Sequence, residues 1–307
     1  MTTDPKQASP TRQATPGRGT RIALFVVILV LPVAALLWMG LGRSPKSADA
    51  LSDGEVTRRS SPSQAVEYAL PQAVHAITAL TLPDGAVVSA QPNLPRDRDQ
   101  TDVYIFAMVT GLVGRDAQQQ FFSVEDFSRR VARTAANLPR RYLPSAFWPV
   151  RPTEGRFLTD TQDGKTVIAA ANAERYAPLV QVLAGLDATK VVAAYVKAYP
   201  LFQKAYASLG HNYASYYLND AVIAAIDDLL RTPDVQGPIA VVLPAADDPK
   251  ANASRPWVTY RYADPALESL SVAQKTLLRM GPAHAAALKA KLREVRALLV
   301  AGRPTTD

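Results

Sequence analysis

The sequence predicts a mainly α-helical globular domain with two short β-hairpins, set behind a single N-terminal transmembrane helix. Three observations predict it. Residues 22–42, IALFVVILVLPVAALLWMGLG, run for twenty-one positions without a charge between Arg21 and Arg43, and at about 1.5 Å of rise per residue such a helix covers roughly 30 Å, the hydrocarbon thickness of a bilayer. From Asp102 onward apolar residues recur at spacings of three and four, the period of a helix with one buried face. Two places break that period: 157–161 with 165–169 around Asp163-Gly164, and 239–243 with 257–262, where short alternating runs flank turn residues.

The charges around the span orient it. Lys6, Arg12, Arg18 and Arg21 precede it, whereas Arg43 and Lys46 are soon followed by Asp49, Asp53 and Glu55. This asymmetry puts the N-terminus in the cytoplasm and the main domain outside it, on the far face of an inner membrane, although Arg58 and Arg59 reduce the bias. Ala48-Asp49-Ala50 resembles a signal-peptide cleavage site, but signal cores run to about 7–15 residues and this one is longer. Pro32 is compatible with a spanning helix, because neighbouring groups absorb the freed carbonyl.

Composition excludes several classes. There is no cysteine, so disulfides, thiolate catalysis and cysteine-ligated metals are all ruled out. The net charge of +7 divides into +4 from residues 1–50, with six basic and two acidic side chains, and +3 from 51–307, with 28 against 25. The main domain is therefore nearly balanced, without the clustered excess that nucleic-acid binding requires.

Taken in order, residues 1–21 form a tail too poor in apolar residues to order itself, and 43–91 a linker. Within the linker Val66, Leu70, Val74 and Ile77 keep helical spacing and predict a short helix over 64–92, although Pro71 interrupts it and Pro83-Asp84-Gly85 reads as a turn. The globular domain is expected over 92–301, with a short tail at 302–307. A buried helix over 103–113 ends at Gly114. Ser123-Val-Glu-Asp126 has the pattern of a capping box ahead of a helix with Val124, Phe127, Val131, Ala135 and Leu138 inward. Pro139, Pro144, Pro149 and Pro152 forbid regular helix through the next segment. Asp187 caps a helix whose face Val191, Tyr195, Tyr199, Phe202, Tyr206 and Leu209 is heavily aromatic, with Pro200 expected to kink or split it. Asn219 is expected to cap a helix with Val222, Ile223, Ile226, Leu229 and Leu230 inward. Asp264-Pro265 opens a short helix, Ser271-Val-Ala-Gln274 is a second capping box, and Ala285, Leu288, Leu292, Val295 and Leu299 face inward on the last helix.

Signals for chemistry are sparse. His75, His211 and His284 are far apart and belong to no metal-binding pattern, so neither a metal nor a cofactor is expected. No catalytic residue is assigned. Asp227/Asp228 is read as a solvated helix face and Asp247/Asp248 as a loop pair. Two features could bind. The stripe Tyr195, Tyr199 and Tyr206 could line a groove, though core packing is the favoured reading. Residues 129–156 hold seven arginines against Glu154, and 220–248 six acids against Arg231. A fold that segregates these would present Arg129, Arg130, Arg133, Arg140 and Arg141 to an anionic partner.

Six stretches resemble a known family: Asn137-Leu-Pro-Arg-Arg141, Tyr199-Pro-Leu-Phe-Gln203, Leu218-Asn-Asp220, Tyr262-Ala-Asp-Pro265, Leu277-Leu-Arg-Met-Gly-Pro282 and Leu288-Lys-Ala-Lys-Leu-Arg293. Together they look like the bacterial domain of unknown function 3014 over roughly 92–301. The resemblance implies an envelope protein with one N-terminal span and brings no catalytic residue with it. The expectation is a membrane-tethered, non-enzymatic binding or scaffolding domain of the cell envelope. Its partners would be the membrane itself, anionic envelope lipids or polymers, or another envelope protein, and not nucleic acid. The runner-up is a hydrolase-type enzyme acting on an envelope polymer, which needs a cleft joining an acid to the aromatic stripe.

Overall fold

The computed structural model describes residues 77–245, 248 and 258–301. The expected tails, the transmembrane helix and the linker before Ile77 lie outside those residues. Among the described residues no single helix is long and apolar enough to cross a membrane.

The architecture follows from α5 (Ala188–Ala207). Asp187 caps it by accepting the Lys190 N–H at 3.1 Å. Val191, Val192, Tyr195, Val196, Tyr199, Phe202 and Tyr206 are all buried, so this helix needs cover on more than one side. The cover comes from α3 (Phe127–Asn137), α9 (Pro282–Ala301), α1 (Arg98–Val113) and α6 (Leu218–Leu230), all of which touch it. Of the kink or split that Pro200 predicts for α5, the split does not occur. The helix is assigned without a break through that position, and the ring is exposed. The hydrogen bond that proline removes is lost where packing on the other faces holds the backbone in place.

Ahead of α1 lies a hairpin that the sequence reading missed, β1 (Ala79–Thr81) paired antiparallel with β2 (Val87–Ser89). The short helix expected over 64–92 is therefore not formed from Ile77 onward. Period two wins here: Leu80 and Leu82 are buried and Thr81 is exposed, and Asp84 accepts the Ala86 N–H to close the turn. The hairpin lies against α5 and is tied to it by the Gln91 N–H donating to the Lys197 carbonyl.

Helix α1 begins before the apolar run, because Asp97 accepts the Gln100 N–H at 3.0 Å and starts the first turn. After Gly114 comes α2 (Arg115–Phe121). The capping box at 123–126 does not form. Phe122 pairs with Val150 in an isolated bridge and the Ser123 N–H donates to the Pro149 carbonyl, which takes Ser123 away from the helix. Asp126 begins α3 instead, in a left-handed conformation with φ of 53°, and its own N–H donates to the Asp102 carboxylate. The buried stripe of α3 is as the spacing predicts.

The expected hairpin around Asp163-Gly164 is β3 (Thr159–Gln162) with β4 (Lys165–Ile168), and both turn residues take the positive φ of a tight hairpin, 51° and 73°. The second expected pair shrinks to β5 (Val241–Val242) with β6 (Arg261–Tyr262). The Ile168 N–H donates to the Ile239 carbonyl and joins the two pairs. With β1–β2, the described residues thus hold three small antiparallel sheets rather than two. Helices α4 (Ala177–Ala184), α7 (Pro265–Glu268) and α8 (Val272–Met280) complete the set. The capping box at Ser271 forms as predicted, with the Gln274 N–H donating to Ser271 Oγ and Gln274 Oε1 accepting the Ser271 N–H. Asn219 does not cap α6. Tyr217 holds the cap position and Asn219 is buried inside the first turn.

If the hairpin belongs to the core, Leu80→Ala in a fragment spanning 77–301 should lower the unfolding free energy by about 2–5 kcal/mol in urea titration. A change near zero would return these residues to the linker.

Candidate functional site

The seven arginines of 129–156 do not act as one surface. Arg130 turns inward and donates to the carbonyls of Glu125, Ala146 and Trp148, supplying donors to a proline-rich segment that lacks its own. Arg133 stacks its guanidinium 4.2 Å from the centroid of the Phe147 ring. Arg151 donates to the Phe122 carbonyl, and Arg140 donates to the Tyr213 hydroxyl at 3.2 Å while staying exposed. Arg129 and Arg141 are exposed and make no hydrogen bond or ion pair among the described residues.

Four of the six acids in 220–248 are engaged internally. Asp227 is paired with Arg296, Asp248 with Arg261 at 2.8 Å, and Asp234 with Lys289 at 2.7 Å. The hydrogen bond and charge of Lys289 hold the Asp234 carboxyl below the usual carboxylate range. Asp228, expected on a solvated face, is 7% exposed and accepts the Ser271 hydroxyl at 2.5 Å. Burial raises its carboxyl above the usual range, opposed by Ser271 and Arg231. It is a joint between α6 and the start of α8 rather than part of a solvated acidic face.

The aromatic stripe is core. Tyr195, Tyr199 and Tyr206 are 1%, 4% and 0% exposed, so they line no open groove. Burial pushes all three hydroxyls well above the ordinary phenol value, and the Asp220 carboxylate adds to that. Gln203, which the sequence reading did not single out as a site residue, organises this end of the core. Its Oε1 accepts the Tyr199 hydroxyl at 2.7 Å and the Leu218 N–H at 2.8 Å, and its Nε2 donates to the Tyr216 carbonyl at 2.9 Å. It thereby supplies the cap that Asn219 was expected to give α6.

A groove of about 390 Å³ opens where α1 and α3 begin beside the C-terminal half of α5. Arg96, Arg98, Asp102, Asp126, Arg129 and Lys204 line it. Arg98 reaches Asp126 at 3.0 Å. Only Arg129 among these belonged to the sequence-derived candidates. The signal for Arg96 and Arg98 was the run Arg96-Asp97-Arg98-Asp99, in which Asp97 precedes Gln100 by three and marks a helix start. Elsewhere, His284 Nε2 lies 3.1 Å from the Ala173 carbonyl and His211 is exposed. No group of three or more His, Asp or Glu that could hold a metal lies together among the described residues.

The motifs quoted above fall at joints of the fold. The Arg140 carbonyl accepts the Val272 N–H at 2.8 Å, Tyr262 donates its hydroxyl to the Lys275 carbonyl at 2.6 Å, and Gly281 turns between α8 and α9 with φ of 90°. These elements define a mainly helical domain with small antiparallel sheets, held by polar joints around one aromatic helix. The chain belongs to the family described as protein of unknown function DUF3014, whose model matches residues 127–296. No curated protein and no solved structure matches the chain.

Gln203→Ala would leave the Leu218 N–H, the Tyr216 carbonyl and the Tyr199 hydroxyl without their partner, so a loss of about 2–4 kcal/mol is expected in urea unfolding. A loss below about 0.5 kcal/mol, the size of an ordinary surface change, would remove Gln203 from its organising place.

Proposed function

We propose that the protein is a membrane-tethered, non-enzymatic binding or scaffolding module of the bacterial cell envelope, with its main domain outside the cytoplasm. The span at 22–42 and the charge asymmetry around it support the tether and its orientation. The observation that carries the binding reading is the tip Arg140-Arg141-Tyr142. All three side chains are exposed, Tyr142 at 67%, while Leu138 and Leu143 on either side are buried at 1%. The backbone beneath is pinned to α8, through the Val272 N–H on the Arg140 carbonyl and the Ala273 N–H on the Leu138 carbonyl. Two cations and an aromatic ring on a fixed backbone suit the interface of an anionic bilayer, where guanidinium meets phosphate and a tyrosine ring sits at head-group depth. The hydrolase reading lacks that kind of support, because the rings that would flank an acid are sealed in the core.

Orientation is tested by a reporter active only outside the cytoplasm, fused after Asp307, which should be active. Activity of a cytoplasm-only reporter at that position would reverse the assignment. Surface binding is tested with the 77–301 fragment and vesicles containing anionic lipid. Binding should weaken steeply as salt rises past about 0.1 M, where the Debye length is about 10 Å. Arg141→Glu with Tyr142→Ala should weaken it roughly tenfold or more, since each basic residue near such a surface contributes about 1 kcal/mol. Binding equal to that of the parent would sink this assignment of the tip.

A further inference from the structure

The groove between α1, α3 and α5 carries a different chemistry from the tip. Four cations line it, Arg96, Arg98, Arg129 and Lys204, against the acids Asp97, Asp102 and Asp126. Every acid is already engaged: Asp97 caps α1, Asp126 is held by Arg98, and Asp102 accepts the Asp126 N–H. Of the cations, only Arg98 is engaged by acids, Asp126 and Glu125. Arg96 and Arg129 have no side-chain partner among the described residues, and the ammonium of Lys204 makes a single long contact of 3.5 Å with the Arg96 carbonyl. Two helices of 16 and 11 residues start at the groove, each adding roughly half a positive charge at its N-terminus. Ser128 is 8% exposed, and its hydroxyl finds no partner among the described residues although the residue lines the groove. Burial raises the Asp102 carboxyl above the usual carboxylate range, with the Asp126 N–H and Arg98 opposing.

We infer that this groove is a binding site for a phosphate group, with Arg129, Arg96 and Lys204 as its donors. Three cationic side chains line the groove from three parts of the chain, Arg96 from the segment before α1, Arg129 from α3 and Lys204 from α5, and three donors suit the three oxygens of a phosphate monoester better than the two coplanar oxygens of a carboxylate. A guanidinium fork also engages phosphate in bidentate fashion. At about 390 Å³ the space suits a small molecule or a lipid head group rather than a polymer, small-molecule pockets running from about 300 Å³ upward. The source of the phosphate is a soluble phosphomonoester or a phospholipid head group, and the two are separable by experiment.

The test uses the full-length protein in nanodiscs of zwitterionic phosphatidylcholine, titrated calorimetrically with glycerol 3-phosphate and with inorganic phosphate, glycerol serving as the blank. Saturable binding of the phosphates and none of glycerol is expected. Arg129→Ala and Lys204→Ala should each weaken it by about tenfold to a hundredfold, the loss of one hydrogen bond to a charged group. Both side chains are exposed, so the melting temperature should hold. Arg141→Glu with Tyr142→Ala should leave phosphate binding unchanged, which keeps failure here distinct from failure of the tip. Phosphatidic acid in the nanodisc should compete if a head group reaches the site and leave the titration unaltered if the ligand is soluble. No heat with either phosphate up to about 10 mM, the weak edge of specific binding, would overturn the inference. So would parent-like binding by both groove variants.

Discussion

The structure depends on burying a helix whose inward face carries three tyrosines. On α5, Tyr195, Tyr199 and Tyr206 lie on the same stripe as Phe202, and a tyrosine brings a polar tip into the core along with its apolar body. Covering that stripe recruits α1, α3, α6, α9 and the first hairpin. Contact geometry follows the chemistry. Tyr195 meets Tyr199 edge to face with centroids 5.6 Å apart, and Tyr206 meets Tyr213 in the same way at 5.2 Å. Gln203 then resolves two problems at once: it satisfies the Tyr199 hydroxyl, and it supplies an acceptor for the first N–H of α6. One amide side chain thus fixes where α6 starts relative to α5, and with it the docking of the helices that pack on α6.

A second layer of polar joints fixes the C-terminal half. Asp228 on α6 accepts from Ser271, which in turn accepts the Gln274 N–H, while Gln274 Nε2 donates back to the Asp228 carbonyl. Lys289 on α9 is 5% exposed and reaches the Thr232 carbonyl just past the end of α6 at 2.6 Å. Each joint satisfies groups at a helix end that would otherwise be orphaned, and each does so with a side chain from a helix distant in sequence. Asp227, Asp228, Asp234 and Asp248 each hold a partner within the domain, so these four are not an open acidic face opposite the arginines.

Much of the fold was legible in the sequence because it rests on local chemistry. Asp187, Asp264 and the Ser271 box cap helices where they stand, Asp163-Gly164 turns as its dihedral preferences require, and the inward stripes of α3, α6 and α9 follow from spacing alone. Three misreadings share one cause. Ser123, Asn219 and Asp228 each carry a local signal that a partner far along the chain overrides: Pro149 for Ser123, Gln203 for the start of α6, and Ser271 for Asp228. The same holds for the arginines. Composition shows their number, but only the fold shows that Arg130 bonds carbonyls and Arg133 covers a ring while Arg129 stays available.

The division between joints and free groups separates what holds this domain together from what it can offer a partner. Of the motif stretches, Asn137-Leu-Pro-Arg-Arg141 does both. Its leucine is buried, its Asn137 side chain donates to the Arg133 carbonyl and its backbone receives α8, yet its two guanidiniums are exposed. A rigid base of this kind lowers the ordering cost of a charged contact, because only the side chains themselves remain to be fixed on binding. The groove is built on the same plan, since Arg129 rises from the first turn of α3, whose Phe127 and Val131 are fully buried. In both places a cation without an internal partner stands on backbone that the core has already immobilised, so specificity would reside in the position of the charge rather than in a loop that must close around a ligand.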